Sequence, residues 1–489
     1  MSRSRNRRQF LEDSMFAAAA AAAAGSPARL LFADDEPQSK SPNERLNVAV
    51  VGTKGRGGSH IGAFAGRKDT VITYAVDVDS KIGNGRVAEI EKRQGVRPKW
   101  VEDIRQALDD KSVDIITVAT PNHWHSLAAI WAMQAGKDVY CEKPVSHNVS
   151  EGRRAVEAAR KYKRICQTGT QCRSNPGMRE FMDYVQSGKI GDVKVGRGLC
   201  YKRRPSIGPK GNYPIPPEIN YDLWSGPAPI LPLTRENLHY DWHWIWAYGN
   251  GDLGNQGIHQ MDLARWGLAA KELCKATFSY GGRLGYEDAG ETANTQVCVH
   301  DYGNKTLVFE VRGLRTERYM GAGVGVIFEG TEGYAVTPSY EGGTIFDKDG
   351  KEVAKFYDGK DDYHFANFIK AVRSRKLTDL NADIEEGHLS SALCHLGNIS
   401  YRLGSQMTPE ELDKSLADFK TTDNAKDTLE RTIAHLKDNG VDMASTKLQV
   451  GPVLPFDPQS ETFVGNDKAN AMLTRKYRKP FVVPAAGQV

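Results

Sequence analysis

Three side chains of this sequence have the chemistry to remove a proton from a hydroxyl group and stabilise the oxygen that remains. They are Lys143, Asn255 and His259. A histidine accepts a proton near neutral pH, an ammonium group stabilises an alkoxide, and an amide only exchanges hydrogen bonds. Helical spacing predicts that Asn255 and His259 share one helix face. Asp262 or another carboxylate is expected to polarise the histidine. A solvated lysine, a helix-capping asparagine and a buried histidine are the structural alternatives.

A glycine-rich turn follows the first predicted strand, Leu46 to Val51, and is typical of diphosphate binding. Its glycines let backbone amides approach an anion at a helix start. A turn without a ligand remains the alternative. The turn consists of Gly52, Thr53, Lys54, Gly55, Arg56, Gly57 and Gly58. Asp77 ends the second predicted strand, where a carboxylate accepts hydrogen bonds from a ribose 2′-hydroxyl and repels a 2′-phosphate. We therefore predict NAD as the cofactor, while Lys81 leaves NADP open.

Two further motifs follow later predicted strands. They are Thr120-Pro121-Asn122-His123-Trp124-His125 and Glu142-Lys143-Pro144. With the glycine-rich turn they occur in the order found in the glucose-fructose oxidoreductase, inositol dehydrogenase and rhizopine catabolism (Gfo/Idh/MocA) family. The sequence resembles this family from about residue 46 to residue 403. Weaker signatures at 169–171, 224–229 and 382–388 extend the resemblance.

The resemblance implies a Rossmann domain followed by an α/β domain whose open sheet commonly serves in oligomerisation. It also implies that Lys143 contacts the reacting hydroxyl and that Pro144 is cis. Relatives often carry aspartate where this chain has Asn255, so we expect His259 to be the base. The cofactor-binding residues expected on this basis and from the glycine turn are Gly52, Gly55, Arg56, Gly57, Gly58, Asp77, Thr120, Pro121, Asn122, His125, Glu142 and Lys143.

An aromatic segment, residues 239–246, combines four aromatic rings with two histidines. We expect Tyr240, Trp242 and Trp244 to present apolar faces to a sugar or cyclitol ring, beside Lys143, Asn255 and His259. Packing beneath the sheet is the alternative for each ring. The histidines of this segment and of the residue 120–125 motif lack metal-ligand spacing, so no metal site is predicted.

The predicted function is NAD-dependent oxidation of a ring hydroxyl on a sugar, cyclitol or glycoside, with the nucleotide held through turnover. Two alternatives remain open. One is a redox-neutral, NAD-using glycosidase or lyase that proceeds through a keto intermediate. The other is a nucleotide-binding protein without catalysis. Near balance between 65 basic and 61 acidic residues, with a net charge of +4, argues against nucleic-acid binding.

The amino-terminal residues resemble an export signal. Arg7 and Arg8 precede an alanine run from Ala17 to Ala24, which predicts a twin-arginine signal over residues 1–33 and a periplasmic protein. An uncleaved lipid-surface anchor is the alternative. Seven cysteines without CxxC spacing are predicted to be core residues.

The fold class predicted is α/β. After a linker over 34–45, residues 46–171 form an NAD-binding Rossmann domain with a doubly wound parallel sheet. Residues 172–405 form a substrate and oligomerisation α/β domain with a large, mostly antiparallel sheet, closed by helices over 363–375 and 387–403. Residues 406–489 form a helical and extended tail. A homo-oligomer through the second sheet is expected.

Overall fold

The computed structural model describes residues 45–416 and 419–489 of the chain. The predicted twin-arginine signal and all of the predicted linker except Arg45 lie outside the described residues. Among the helices that are described, none has both the length and the apolar character needed to cross a membrane. All seven cysteines are described, and each is a buried free thiol.

Six parallel strands form the first sheet. They are β1 (Leu46–Val51), β2 (Thr70–Val76), β3 (Lys99–Val101), β4 (Ile115–Val118), β5 (Asp138–Cys141) and β6 (Cys166–Thr168). The strand order is β3-β2-β1-β4-β5-β6, so successive strands are added on one side of β1 up to β3 and on its other side from the parallel β4 onward. This confirms the predicted doubly wound sheet, in which ligands bind beyond the carboxyl ends of the strands at the point where the strand order reverses.

Helices connect these strands and cover both faces of the sheet. They are α1 (Arg56–Ala65), α2 (Ser80–Gln94), α3 (Ile104–Asp109), α4 (Asn122–Gln134) and α5 (Val149–Lys161). Side chains alternate along β1, so Val48 and Val50 join one apolar cluster while Ala49 and Val51 join another. Strands buried on both faces read as continuous apolar runs, which is why the sequence signals them clearly.

The second sheet is large and almost entirely antiparallel, as predicted. Its strands are β7 (Val193–Tyr201), β8 (Ala276–Gly282), β9 (Thr295–Asp301), β10 (Thr306–Arg312), β11 (Val324–Gly330), β12 (Gly333–Thr337), β13 (Gly342–Asp347), β14 (Glu352–Tyr357), β15 (Ser405–Met407), β16 (Leu448–Val450), β17 (Leu454–Asp457) and β18 (Thr462–Phe463). The main order is β14-β13-β12-β11-β7-β10-β9-β8-β16-β15, and β17 pairs with both β8 and β18. Among the described strand pairs of this second sheet, only β7 and β10 run parallel.

The second half of the chain also contains ten α-helices among its described residues. They are α6 (Pro176–Gln186), α7 (Tyr221–Ser225), α8 (Leu238–Asp241), α9 (Gly251–Gly254), α10 (Gly257–Gly267), α11 (Asp361–Ser374), α12 (Ile384–Arg402), α13 (Pro409–Leu416), α14 (Ala425–Asp438) and α15 (Asp467–Ala471). Short 3₁₀ turns occur at Gln171–Ser174, Trp242–Trp244 and Leu377–Asp379.

Helix α11 packs differently from the prediction, which assigned it to the second sheet. Its Phe365 and Phe368 belong to the apolar cluster of Val48 and Tyr140, so it covers the first sheet. Phe365 stacks on Tyr140 with ring centroids 4.9 Å apart. The helical spacing of apolar residues predicted that a helix forms here. The same spacing does not specify which sheet the apolar face of that helix packs against.

The predicted tail, residues 406–489, packs along its length against both halves of the protein. Leu412, Leu429 and Leu436 of α13 and α14 pack against strand residues such as Phe278 and Val297, covering one face of β7 to β10. Near the carboxyl terminus, Phe481 packs into the first-sheet cluster. The second sheet is therefore not open across that whole face.

A buried ion cluster joins α14 to this face of the sheet. The fully buried Glu310 of β10 pairs with Arg197 of β7 at 3.0 Å, with Arg431 of α14 at 2.8 Å and with Arg312 at 3.1 Å. Burial opposes ionisation, but the Arg431 hydrogen bonds and the nearby arginines lower the pKa of Glu310 to about 2. The carboxylate is therefore charged in the folded protein.

We predict that Glu310→Ala lowers the free energy of unfolding by about 3–5 kcal/mol, because arginines are left without their shared carboxylate. Urea denaturation at neutral pH measures this free energy, and Glu352→Ala, a variant at an exposed glutamate, is the control. Because the pKa of Glu310 is depressed, its contribution is lost as pH falls from about 4.5 to about 2. A Glu310→Ala loss no larger than that of the control would contradict this account.

Candidate active site

A cleft of about 680 Å³ lies at the carboxyl ends of β1, β2, β4 and β5, where a doubly wound sheet binds its ligand. Of the predicted site residues, most line this cleft. Those that do are Gly52, Gly55, Arg56, Asp77, Thr120, Pro121, Asn122, His125, Glu142, Lys143, Tyr240, Trp242, Asn255 and His259. Gly57, Gly58 and Trp244 do not.

The glycine-rich turn connects β1 to α1 as expected. Gly52 has φ of +78° and Gly55, the N-cap of α1, has φ of +55°, conformations that favour glycine. A Cβ on Gly57 would lie 1.9 Å from the carbonyl oxygen of Gly52, so this glycine permits close packing of helix on strand. The amides of Gly57 and Gly58 donate to Lys54 O and Gly55 O. These two residues therefore lie on the side of the turn away from the cleft.

The carboxylate of Asp77 is held beside the turn by Thr53. Its Oδ2 accepts hydrogen bonds from Thr53 N at 2.9 Å and from Thr53 Oγ1 at 2.7 Å. Oδ1 accepts from Asp79 N at 3.1 Å, which leaves further lone pairs for a ligand hydroxyl. Lys81 is exposed and does not line the cleft. The cleft wall at Asp77 is therefore negative.

Two buried polar groups in the cleft support binding of a polar ligand. Arg56 Nη2 and Thr120 Oγ1 have no hydrogen-bond partner among the described residues. Buried polar atoms usually have partners, so unpaired ones at a cleft indicate where a ligand bonds. Together with the glycine turn and Asp77, these groups fit a dinucleotide.

Glu142 is nearly fully buried and gathers side chains from several elements. Its Oε1 accepts from Arg56 Nε at 2.9 Å and from Gln171 Nε2 at 3.4 Å, and lies 3.2 Å from His60 Nε2. Burial opposes ionisation, but the hydrogen bond with His60 and the charge of Arg56 hold the pKa of Glu142 well below its usual range. The other side of Arg56 pairs with Asp361 at 2.7 Å.

His125 fastens the turn after β4 to the turn after β5. Its two ring nitrogens lie 2.7 Å from Thr120 O and 2.6 Å from Pro144 O. Asn122 begins α4 and donates from Nδ2 to Asn250 Oδ1 at 3.1 Å. The nitrogens of His125 are thus engaged with the backbone, and its contribution to the cleft is to position neighbouring groups.

Lys143 reaches across the cleft to the second half of the chain. The bond between Lys143 and Pro144 is cis, as the resemblance implied. Lys143 Nζ donates to the backbone carbonyl of Asn255 at 2.8 Å. Burial lowers the pKa of Lys143 from its ordinary value, and Glu142 opposes that effect.

Asn255 and His259 do not share one continuous helix, which corrects the prediction. Asn255 lies between α9 and α10 with φ of −84° and ψ of −80°, and the glycines at 254 and 257 flank this break. His259 lies in the first turn of α10, with its ring 5.0 Å from that of Tyr340. Both residues nevertheless line the cleft.

The ring of His259 is neutral and incompletely bonded. Burial, followed by the nearby charge of Lys143, holds the pKa of His259 well below its ordinary value. Its Nδ1 is buried and has no hydrogen-bond partner among the described residues. Asp262 does not polarise it, contrary to expectation, because that carboxylate pairs with Arg173 Nε at 2.8 Å and accepts from Ser390 Oγ at 2.7 Å.

The aromatic segment presents fewer rings to the cleft than predicted. Tyr240 is 46% exposed, and Trp242 lines the cleft while stacking on His243 with centroids 3.6 Å apart. Trp244 is wrong as a substrate residue, since it is 4% exposed and packs beneath Arg204, 5.3 Å from its guanidinium carbon. Burial of one large ring in such a loop is favoured by the apolar area it removes from water.

Several cleft residues were not predicted. His239 lies in the aromatic segment and bonds Asp79 Oδ2 at 2.8 Å, which joins that segment to the end of β2. Tyr340 and Asp361 come from distant parts of the chain, and no local motif marks them. Among the described residues, no group of three or more His, Cys, Asp or Glu side chains is arranged to hold a metal.

The fold and cleft define a nucleotide-dependent enzyme with a Rossmann domain. Residues 46–170 match the model of the oxidoreductase family with an NAD-binding Rossmann fold, and residues 208–435 match its C-terminal alpha/beta domain. These ranges together cover more than half of the chain. The protein therefore belongs to the Gfo/Idh/MocA oxidoreductase family, which confirms NAD as the cofactor class.

Curated relatives include two dehydrogenases of ring substrates. Myo-inositol 2-dehydrogenase of Thermotoga maritima is 26% identical over 254 residues, 52% of this chain and 64% of that protein. Levoglucosan dehydrogenase of Pseudarthrobacter phenanthrenivorans is 28% identical over 228 residues, 46% of this chain and 51% of that protein. The matches thus span about half to two-thirds of the relatives' length.

Solved structures share the fold. WlbA dehydrogenase from Bordetella pertussis, in complex with NADH and UDP-GlcNAcA, has a TM-score of 0.55 and 20% identity, covering 73% of this chain and 97% of that one. Levoglucosan dehydrogenase in complex with NADH has a TM-score of 0.55 and 18% identity, covering 72% and 96%. At these identities the comparison establishes the fold alone.

We predict that Asp77→Asn weakens the preference for NAD over NADP by about tenfold or more. The asparagine side chain keeps the shape of aspartate and still accepts hydrogen bonds from Thr53. It lacks the negative charge that repels a 2′-phosphate. Titration of nucleotide-free protein with each dinucleotide measures it, and Asp103→Asn, which changes another carboxylate of the same cleft, is the matched control. An unchanged preference would exclude Asp77 as the ribose-reading residue.

Proposed function

We propose that this protein oxidises a ring hydroxyl of a sugar, cyclitol or glycoside with NAD. The observation that carries the proposal is that Lys143 and His259, 116 residues apart in sequence, line the same cleft as the glycine turn and Asp77. Tyr240 and Trp242 add aromatic surface to that cleft, which suits the C–H face of a saturated ring. The two dehydrogenase relatives act on cyclitol and sugar-derived rings by their names, which agrees with this substrate class.

The chain's own residues supply the proton chemistry. When bound, NAD supplies the acceptor for the hydride that leaves the substrate carbon. Lys143 donates a hydrogen bond to the hydroxyl oxygen and stabilises negative charge there. His259 is neutral because burial lowers its pKa, so it has a lone pair for the hydroxyl proton. The amide of Asn255 is available to orient the substrate, while its backbone carbonyl positions Lys143.

Retention of the nucleotide through turnover is part of the proposal. The segment around residues 218–239 lies over the turn after β2: Ser80 N donates to Glu218 O at 3.0 Å, and Asn220 N donates to Val78 O at 2.9 Å. His239 adds its contact with Asp79. These contacts hold the segment beside Asp77, and we propose that they slow the release of a nucleotide whose ribose is read there. Reduced cofactor is then reoxidised in place, by a second substrate or by return of the hydride.

The decisive experiment has two parts. The nucleotide is released from one sample of the purified protein and identified. In a second, nucleotide-loaded sample, the nicotinamide absorbance is followed as sugars, cyclitols and glycosides are added. We predict a substrate-dependent rise. Lys143→Ala is expected to lower turnover by at least about a hundredfold while bound nucleotide remains, since its role is at the reacting oxygen. The exposed Lys210→Ala is the matched control.

The outcomes separate the candidate functions. Glycoside cleavage or elimination without a net rise in reduced cofactor would favour the redox-neutral alternative. Bound nucleotide with no conversion of any panel member would favour the non-catalytic one. Full activity of Lys143→Ala would contradict the assignment of Lys143.

We also propose export by the twin-arginine route, based on Arg7, Arg8 and the alanine run. Changing Arg7 and Arg8 together to lysine is predicted to abolish export, because the signal is read as an arginine pair. Cell fractionation measures it, and Arg3→Lys with Arg5→Lys is the charge-matched control. Parent protein that fractionates with membranes would support the anchor alternative, and export of the Arg7, Arg8 variant would contradict the proposal.

A homo-oligomer formed through the second sheet remains a proposal. Helices α13 and α14 cover the face of β7 to β10. Association through that face is therefore proposed to use β11 to β14, whose neighbouring side chains include the partly buried Tyr334 and Phe346.

A further inference from the structure

A second cavity, of about 300 Å³, shares no lining residue with the active-site cleft. Its walls come from the turn before α5, from loop residues at 229 and between 246 and 250, from α12, and from the end of α15 with the residues after it. Asn250, His395 and Asn398 contribute buried polar surface, whereas Arg402 is exposed and Arg475 partly buried. None of the lining residues is an aspartate or a glutamate. The cavity therefore carries two positive charges and no negative charge.

The two arginines have no carboxylate partner. Arg475 Nη1 donates to Ala247 O at 3.0 Å and lies 3.2 Å from His147 Nδ1. Arg402 lies over the ring of Trp246, 4.9 Å from its centroid. Within the described residues neither guanidinium makes an ion pair, so each has donors left for a ligand.

The contact between Arg475 and His147 fixes the tautomer of the histidine. A guanidinium only donates, so His147 Nδ1 must accept, and the ring proton of the neutral imidazole is then on Nε2. That Nε2 is buried and has no hydrogen-bond partner among the described residues. The backbone carbonyl of Trp246 lies near the ring, but no hydrogen bond of good geometry joins it to Nε2, so this N–H has capacity left for a ligand.

His395 adds a second incompletely bonded ring. Its Nε2 lies 3.1 Å from Ser146 Oγ, whereas its buried Nδ1 has no partner in the described part of the chain. His395 is only 3% exposed. In the tautomer in which Ser146 Oγ donates to Nε2, Nδ1 carries the ring proton and can donate to an anionic ligand.

The nearest carboxylates are occupied elsewhere. Glu151 accepts from His147 N at 2.9 Å and from Asn148 Nδ2 at 2.8 Å, and burial raises its pKa. Glu291 accepts from Trp246 N at 2.9 Å. Neither glutamate lines the cavity or forms an ion pair with its arginines, and each acts on one of them only at longer range, Glu151 on Arg475 and Glu291 on Arg402.

We propose that this cavity binds a tetrahedral oxyanion, phosphate or sulfate, either free or carried by a small sugar. Guanidinium groups bind such oxygens through paired hydrogen bonds, and unpaired N–H donors add to them. The site is distinct from the nucleotide cleft and does not depend on the proposed reaction. The cavity volume leaves room for an organic group beside the anion.

Isothermal titration of full-length, nucleotide-loaded protein tests the proposal with inorganic phosphate, inorganic sulfate, glucose 6-phosphate and glucose. We expect saturable binding of at least one anionic probe at one site per chain. Glucose, which the proposed function directs to the active-site cleft, is expected not to compete with that probe. Arg475→Gln and Arg402→Gln are each expected to weaken binding by about tenfold or more. The exposed Arg315→Gln is the matched control, and Arg475→Lys is expected to fall between parent and Arg475→Gln.

The probes separate a free ion from a sugar-borne group. Tighter binding of glucose 6-phosphate than of phosphate, weakened in Arg475→Gln, supports the sugar-borne group, and equal binding supports the free ion. The proposal is overturned if no anion binds saturably, or if the arginine variants, folded by circular dichroism, bind like the parent. Binding lost in Arg56→Gln but kept in Arg475→Gln would locate the anion in the nucleotide cleft and also overturn it.

Discussion

The buried carboxylate of Glu142 is the group on which the geometry of the active-site cleft depends. It is 3% exposed, and a buried charge without compensation costs several kcal/mol. Arg56 and His60 supply the compensation from α1, so the helix after the glycine turn is bonded to the strand end that carries Lys143. The nucleotide turn and the proposed catalytic lysine are thus positioned by one carboxylate.

The same charges set the properties proposed for catalysis. Two opposing effects act on Lys143. Burial disfavours its ammonium form, whereas the charge of Glu142 favours it. The positive charge of Lys143 adds to burial in lowering the pKa of His259. A charged lysine beside a neutral histidine is the combination that stabilises an alkoxide and accepts a proton. The charge of the lysine thus helps to keep the histidine neutral.

Local sequence predicted the buried elements well and the long-range contacts poorly. The strand at 46–51 was predicted with the bounds observed, because fully buried parallel strands are continuous apolar runs. The strand Glu352–Tyr357 was missed because it is an edge strand with mixed exposure and charged residues. The pairing of Asp262 with Arg173 and the burial of Trp244 depend on residues far away in sequence. Local motifs brought most cleft residues together because each follows a strand of one sheet.

The ion cluster around Glu310 bears on how the second sheet associates. Buried ion pairs seldom add net stability, but a broken one is costly, so they favour one packing arrangement over others. Arg431 reaches Glu310 from α14, which specifies where this helix lies on the sheet and keeps apolar residues such as Phe278 and Val297 covered. The resemblance implied a sheet face open for a partner subunit. In this chain the residues after 408 occupy much of that face, so a partner would meet the remaining strands or the helices themselves.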